Sequence, residues 1–469
     1  TAYEIGVRLV GSEMCIRDRY DTSLKEVLER FNETAIHTER KGFGIIINEK
    51  GRCIGVVSDG DIRRKLIDNV SIALPVEVAM NKEFSFVHEN DNSHKILRQF
   101  DKKVSNLPVL DQNKIPINLY QYSKFVASSH SKQKIIRARV PVRVSYSGGG
   151  TDISNFINTT SAFVLSSTIN KFCTASIIVR DDDEVHIVSK DLNLKYSAKN
   201  INEVEYGDGL DLIKAAVKIM EPKFGFTLET FAEFEQGTGL GGSSAVVGSV
   251  LGALNYFRNE QQLDLYQLSD LAFQVERIDM NLKGGWQDQY ATTFGGFSWI
   301  EFRENEVVVS SLLLQRNVVL ELEYNLMLFR LGGCRSSSQI QTEHINNIDY
   351  SGEKQKLFQE MIQLTIKMKE TLLKGNVKYF ADLLNESWLL KRKMNKGVTN
   401  DFVEECYNSA RENGALGGKL LGAGGSGYFL IYAAPLYQKR IKEALAKRSV
   451  IQEVFKFNQN GLEVWSTNK

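Results

Sequence analysis

The segment TSLKEVLERFNE, starting at Thr22, places apolar side chains at Leu24, Val27, Leu28 and Phe31. That spacing predicts an amphipathic helix, with Thr22 or Ser23 as its cap. The rhythm then changes. In GFGIIINEKGRCIGVVSDGDIRRKLID, Ile45 to Ile47 is a short apolar run, NEKG a turn and CIGVV a second run. The prediction is strand, hairpin turn, strand, turn, helix. A weaker copy follows. SHKILRQFDKK has helical spacing, while NLPVLD and INLYQYSKF are strand-like and flank the turn QNKIP. Two copies of one pattern make an internal repeat, spanning about Tyr20 to Phe125.

VASSHSKQK, Val126 to Lys134, is polar and Ser-rich and reads as a linker. From Ile135 the chain becomes one long unit. It opens with the alternating strand IIRARVPVRV, which runs into SYSGGGTD. Further on, EQGTGLGGSSAVVGSVLGALNYF sets a flexible glycine loop before an apolar helix starting near Ser243 or Ser244. Ala245, Gly248, Ser249, Gly252 and Ala253 would let that helix pack closely. In QVERIDMNLKGGWQDQYATTFGGF, Glu276 lies on a helix and Asp288 follows a Gly-Gly turn. GGKLLGAGGSGYFLIYAAP is a second glycine-rich loop, between a helix and an apolar strand.

The 469 residues are 42% hydrophobic and 25% charged, with a net charge of +1. That balance gives no reason to expect nucleic acid or an anionic membrane as a bulk partner. No apolar run is long enough to span a bilayer. Cys15, Cys53, Cys173, Cys334 and Cys406 are scattered, without a CxxC. They read as free thiols of a reducing, cytoplasmic compartment. The six histidines are equally dispersed, so no zinc site is expected. Residues 1–19 lack an initiator Met, and VGSEMCIRDR resembles translated sequencing adapter. They are set aside from the fold reading.

Four stretches carry candidate chemistry. The Gly237–Ala245 loop and the helix behind it would point free N–H groups at an anion, which suits a polyphosphate. The Ser243 and Ser244 hydroxyls could add a phosphate contact or an Mg²⁺ ligand. No Lys occupies the position that a Walker A loop requires. Gly422, Gly424, Gly425 and Gly427 could bring backbone to the same ligand. Thr151 and Asp152, after the glycine turn, form a candidate sugar corner, because a carboxylate accepts two hydroxyl hydrogen bonds. Of Glu276 and Asp288, one could hold Mg²⁺ and the other orient or deprotonate an attacking hydroxyl.

The N-terminal repeat resembles a CBS domain pair, most sharply in GVVSDGDIRR, Gly55 to Arg64. That resemblance implies ribose contacts by Ser58 and Asp61 with an adenine nucleotide. The second copy lacks the Ser-x-x-Asp arrangement, so at most one half-site has its ribose ligands. The glycine-rich motifs after Ile135, in their order, resemble the GHMP kinase superfamily. RVPVRVSYSGGGTD, GGWQDQYATTFGGF and GALGGKLLGAGGSGYF are most similar to its D-glycero-D-manno-heptose 7-phosphate kinase branch. Galactokinases usually carry Gly-Glu-His-Thr-Asp in place of GGGTD, and mevalonate kinases lack the stretch seen here as Gln287 to Tyr290.

The resemblance implies an α+β fold: a two-subdomain kinase of residues 135–469, divided at about 320/321, after a CBS pair at 20–127 and a linker at 128–134. It implies ATP phosphates wrapped by Gly237, Gly239, Leu240, Gly241, Gly242, Ser243, Ser244 and Ala245. Mg²⁺ would lie on Ser244 and Glu276, Asp288 would be the base, and Arg143 would stabilise it and the phosphoryl group. Gly150, Thr151, Asp152, Gly424 and Gly425 would meet the sugar. Arg335, in LGGCRSSSQI, would meet the substrate's phosphate. The implied reaction carries the ATP γ-phosphoryl group to the anomeric hydroxyl of a heptose 7-phosphate, for nucleotide-heptose and surface polysaccharide. The alternatives are a kinase for fucose or a hexose phosphate, and an adenylate-sensing scaffold with a silent kinase domain. The CBS pair would tune activity or make a homodimer. Gln236, Gly242 and Ser426 depart from the usual loops, which bears on ATP affinity and removes no proposed catalytic side chain.

Overall fold

A computed structural model describes residues 16–468 apart from 38–41, 90, 92, 101–103, 123–133, 158–159, 236, 305 and 333–351. The chain falls into two compact units that divide between Lys132 and Gln133.

The internal repeat is visible in the first unit as two sheets of one topology. In the first, Ile16–Arg19 pairs parallel with Phe43–Ile47, which pairs antiparallel with Cys53–Ser58. In the second, Val87–His88 pairs parallel with Asn106–Leu110, which pairs antiparallel with Pro116–Gln121. The helix Leu24–His37 buries Leu24, Val27 and Phe31, three of the four apolar positions read from its spacing. Ile45 and Cys53 of one half meet Leu110 and Leu119 of the other. Residues 16–19, set aside in the sequence reading, form a strand that covers an edge of Phe43–Ile47. Asp18 is buried there against Arg30.

The second unit is built on a nine-stranded and a four-stranded sheet. Lys134–Ser147 runs antiparallel to Ala162–Val179 through the middle of the larger sheet. Val140, Val142 and Val144 are fully buried, and the helix Gly242–Asn255 packs above them. That helix is apolar all round and almost wholly buried, as such a composition requires. Its small residues set the distance: a Cβ on Gly248 would touch Val140 at 3.5 Å, and one on Gly252 would overlap Leu462. The smaller sheet runs Gly417–Leu420, Tyr428–Tyr432, Leu326–Arg330, Ile451–Glu453.

The expected division at about 320/321 is crossed by the C-terminus. Phe457–Asn458 pairs with Ala162–Val179, and Glu463–Asn468 pairs with Lys134–Ser147, so the last residues complete the larger sheet. They supply the edge partner that Lys134–Ser147 would otherwise lack.

Candidate active site

Between these elements lies a cavity of about 510 Å³, a size suited to a small-molecule ligand. Arg143, Arg277, Lys283, Lys391 and Lys419 line it against the carboxylates Asp152, Asp211 and Asp288. The excess of cations favours an anionic ligand.

Arg143 sits beside a register shift in its strand. Its guanidinium donates to Asp288 Oδ1 from Nε at 2.9 Å and from Nη2 at 2.6 Å. Nη1 donates to the carbonyl of Gly239 at 2.6 Å, and its backbone N–H to Leu240 at 2.9 Å. One side chain therefore ties the acid to the glycine loop. Its side chain is 3% exposed and that of Asp288 is 20% exposed, so the pair is shielded but open on the carboxylate side.

The loop residues Gly237, Gly239 and Gly241 take the left-handed conformations that favour glycine. The helix starts at Gly242, a little earlier than expected, with no side chain capping its first N–H groups. Those donors are left for a ligand. Gly237, Gly239, Gly241, Gly242 and Ser243 line the cavity, whereas Leu240 and Ala245 are buried beside it. The buried Ser244 hydroxyl donates to Glu276 Oε2 at 2.7 Å. Glu276 lies on a π-helical turn, Gln274–Asp279, that continues the helix Leu265–Phe273. Such turns often mark functional sites. Gln289 also bonds to Glu276 Oε2, and Oε1 is buried without a partner. A hydroxyl beside a half-satisfied carboxylate is a hard-oxygen donor set that fits Mg²⁺. Among the described residues no three His, Cys, Asp or Glu side chains converge as a metal cage. The remaining ligands would be phosphate oxygens and water.

Asp152 is 1% exposed and accepts from the backbone of Gly150 at 2.8 Å and of Gln287 at 2.9 Å. Burial raises its pKa against those hydrogen bonds, and the nearby Asp288 adds to the rise. Gly285 is required here, since a Cβ on it would stand 2.1 Å from Asp152 Oδ2. Gly150 and Asp152 line the cavity. Thr151 is fully buried and spends its hydroxyl on the Gly148 carbonyl, at 2.7 Å.

The second glycine loop has a different use from the first. A Cβ on Gly422 would lie 2.2 Å from Gly239 Cα, and one on Gly427 would lie 2.3 Å from the Thr238 carbonyl. The two loops thus rest backbone against backbone, and only Gly422 and Ala423 of this one line the cavity. Gly424 abuts Val398, and the Gly425 N–H donates to the Val398 carbonyl at 2.9 Å. Neither is among the residues that line the cavity. Arg335 and Gln236 lie outside the described residues.

Two lysines were missed from sequence. Lys391 comes from the helix Val377–Met394 and Lys419 from Gly417–Leu420. Each reads in isolation as an ordinary charged residue of a helix or strand. Burial pushes Lys391 down to about 8, and the nearby Arg143 pushes the same way. Lys419 is 2% exposed and donates to the Ser145 and Tyr146 carbonyls at 3.1 and 2.9 Å. Burial and the charge of Lys391 lower its pKa well below the usual value. Ser145 Oγ and Gln287 Oε1 are buried without partners at the same cavity.

In the first unit, Ser58 and Asp61 make a capping box for the helix Asp59–Ile67. Asp61 Oδ2 accepts from the Ser58 hydroxyl at 2.6 Å and from its N–H at 2.8 Å. In this arrangement the two side chains satisfy each other at the start of the helix.

Residues 211–296 match the family described as GHMP kinases N terminal domain, residues 368–451 the GHMP kinases C terminal family, and residues 19–68 the CBS domain family. The D-glycero-alpha-D-manno-heptose 7-phosphate kinase of Campylobacter jejuni is 33% identical over 71% of this chain and 99% of its own. The L-fucokinase/L-fucose-1-P guanylyltransferase of Bacteroides fragilis is 24% identical over 67% of this chain and 36% of its own. Among solved structures, a D-glycero-D-manno-heptose 1-phosphate kinase from Bacteroides thetaiotaomicron superimposes with a TM-score of 0.59 at 29% identity. It covers 70% of this chain and 98% of that one.

Proposed function

Because the chain belongs to the GHMP kinase superfamily and carries an N-terminal CBS domain, we propose that it is an ATP-dependent sugar kinase. Its acceptor is the anomeric hydroxyl of D-glycero-D-manno-heptose 7-phosphate, and the product feeds nucleotide-heptose and surface polysaccharide synthesis. The observation that carries the reading is the bond of Arg143 to both Asp288 and Gly239. It sets a base beside a phosphate loop, which is the juxtaposition that phosphoryl transfer to a hydroxyl needs. The name of the 33% identical relative supports the heptose phosphate.

In this reading Asp288 accepts the proton of the sugar hydroxyl as that oxygen bonds to the γ-phosphorus. The bond from phosphorus to the bridging oxygen breaks, and its electron pair leaves with ADP. Arg143 orients Asp288 and faces the charge that develops. The free N–H groups of Gly242 to Ser244 hold phosphate oxygens. Ser244 and Glu276 would hold Mg²⁺, which supplies charge neutralisation between the phosphates. Asp152 presents a carboxylate edge to sugar hydroxyls, with Gly150 beside it. The half-site of Ser58 and Asp61 takes an adenine nucleotide that tunes activity. AMP binding that is lost in Asp61→Ala would support this role, and absence of AMP binding to the wild type would refute it.

Phosphate transfer to a panel of free and phosphorylated sugars tests the reading. Turnover with heptose 7-phosphate and its loss in Asp288→Asn are expected. Turnover only with another sugar, such as fucose or a hexose 6-phosphate, would replace the acceptor and keep the reaction class.

A further inference from the structure

Lys391 donates its ammonium protons to the carbonyls of Gly422 and, at 3.4 Å, Leu420. Gly422 is the glycine whose backbone rests on Gly239, and the Gly239 carbonyl holds Arg143. The two cations are therefore anchored on the two sides of one loop-to-loop contact. The charged groups around Lys391 are Arg143 from the long strand, Lys419 from the smaller sheet, Asp152 from the glycine turn and Asp288 from the helix Gln287–Phe294. Among the described residues neither carboxylate makes an ion pair with it; Asp288 is engaged by Arg143 and Asp152 by backbone N–H groups. A desolvated ammonium group beside other cations is unfavourable until an anion joins it.

Resting on the kinase reading above, we propose that Lys391 is a further catalytic residue. Its ammonium group contacts the phosphoryl group in transit and shares that group's negative charge with Arg143. The charge of a phosphoryl group in transfer is spread over its equatorial oxygens, and two cations from opposite walls can meet it on two sides. The anchoring on Gly422 holds the lysine in place before the reaction, so little reorganisation is needed when the charge develops.

The test is calorimetric titration of the full chain with Mg²⁺ at pH 8, in two buffers of different ionisation enthalpy. The ligands are a non-hydrolysable ATP analogue, ADP and heptose 7-phosphate, each alone. Lys391 has a pKa of about 8 in the free protein, so contact with a phosphate dianion should take up about half a proton. That uptake is expected with the ATP analogue, much less with ADP, and should vanish in Lys391→Met. Turnover of Lys391→Met should fall on the order of 10²-fold or more, with the acceptor KM changed by less than about twofold, while Lys391→Arg recovers part of the rate. Equal uptake with ADP and the analogue, or uptake unchanged in Lys391→Met, would overturn the proposal. Uptake with heptose 7-phosphate alone would also overturn it, by moving the contact to the acceptor's phosphate. If Lys391→Met does not fold, the wild-type contrast between ADP and the analogue still decides. A wild type that phosphorylates no sugar but shows this contrast would sink the sugar-kinase reading and uphold the contact.

Discussion

On the wall formed by Lys134–Ser147 and Gln287–Phe294, Arg143 meets its counter-charge in Asp288. On the wall formed by Val377–Met394 and Gly417–Leu420, Lys391 and Lys419 bond only to backbone carbonyls among the described residues. The first wall is complete without a ligand, because each charge has its partner and the pair fixes the geometry of the base. The second holds positive charge that makes no ion pair among the described residues. Burying such charge opposes folding, and an anionic ligand offsets that cost when it binds. One wall is therefore built to orient, the other to wait for a phosphate.

Removing the base breaks the comparison most severely. Asp288→Asn keeps the shape and the Arg143 contact but cannot accept a proton, so turnover should fall on the order of 10³-fold or more. A steady-state assay with nucleotide binding measured in parallel checks this, since affinity should hold while the rate collapses.

The contact that joins the walls comes next. Gly239→Ala would drive a Cβ to 2.6 Å from the Leu421 carbonyl, and Gly422→Ala would drive one to 2.2 Å from Gly239 Cα. Both residues also have positive φ. Each change should destabilise the second unit by about 1–3 kcal/mol and raise the nucleotide KM about tenfold or more. Equal effects from the two loops, read by thermal melting and kinetics, would show that they act as one unit. An effect confined to Gly239→Ala would separate them.

A pH profile sharpens the contrast in charge. Lys391 is depressed to about 8, so its ammonium form predominates below that pH and is lost above it. The kcat/KM for ATP should decline as pH rises past about 8, by up to tenfold per unit. Lys391→Arg stays charged across this range and should flatten the decline. A wild-type profile that is level to pH 10 would remove Lys391 from the chemistry.

The smallest effect separates the two serines of the first loop. The Ser244 hydroxyl is committed to Glu276, whereas Ser243 lines the cavity. Ser243→Ala should cost about 1 kcal/mol of nucleotide binding, seen as a severalfold rise in KM. Ser244→Ala should cost more, and should shift the Mg²⁺ dependence.

The first wall was legible in the sequence because its parts lie in contiguous motifs. A strand before GGGTD, a glycine loop before an apolar helix and an acid after a Gly-Gly turn each announce a local geometry. The second wall was not legible. Lys391 lies in LLKRKMNKG, where several basic residues share one helix end, and only packing decides which of them faces the cavity. The glycines of the second loop were visible, but their reason was not. Gly422, Gly424 and Gly427 accommodate protein backbone, where a ligand was expected. Residues 16–19, set aside from the fold reading, are a related case. Their place is fixed by the parallel pairing with Phe43–Ile47, a long-range partner that no local pattern reveals.

The most direct test of the central claim is a ³¹P NMR assay of the full chain with Mg·ATP and heptose 7-phosphate. A new anomeric phosphate resonance, formed as ADP appears and absent with Asp288→Asn, is the predicted result. ATP left unchanged with every free and phosphorylated sugar, under conditions where the protein binds ATP, would contradict it.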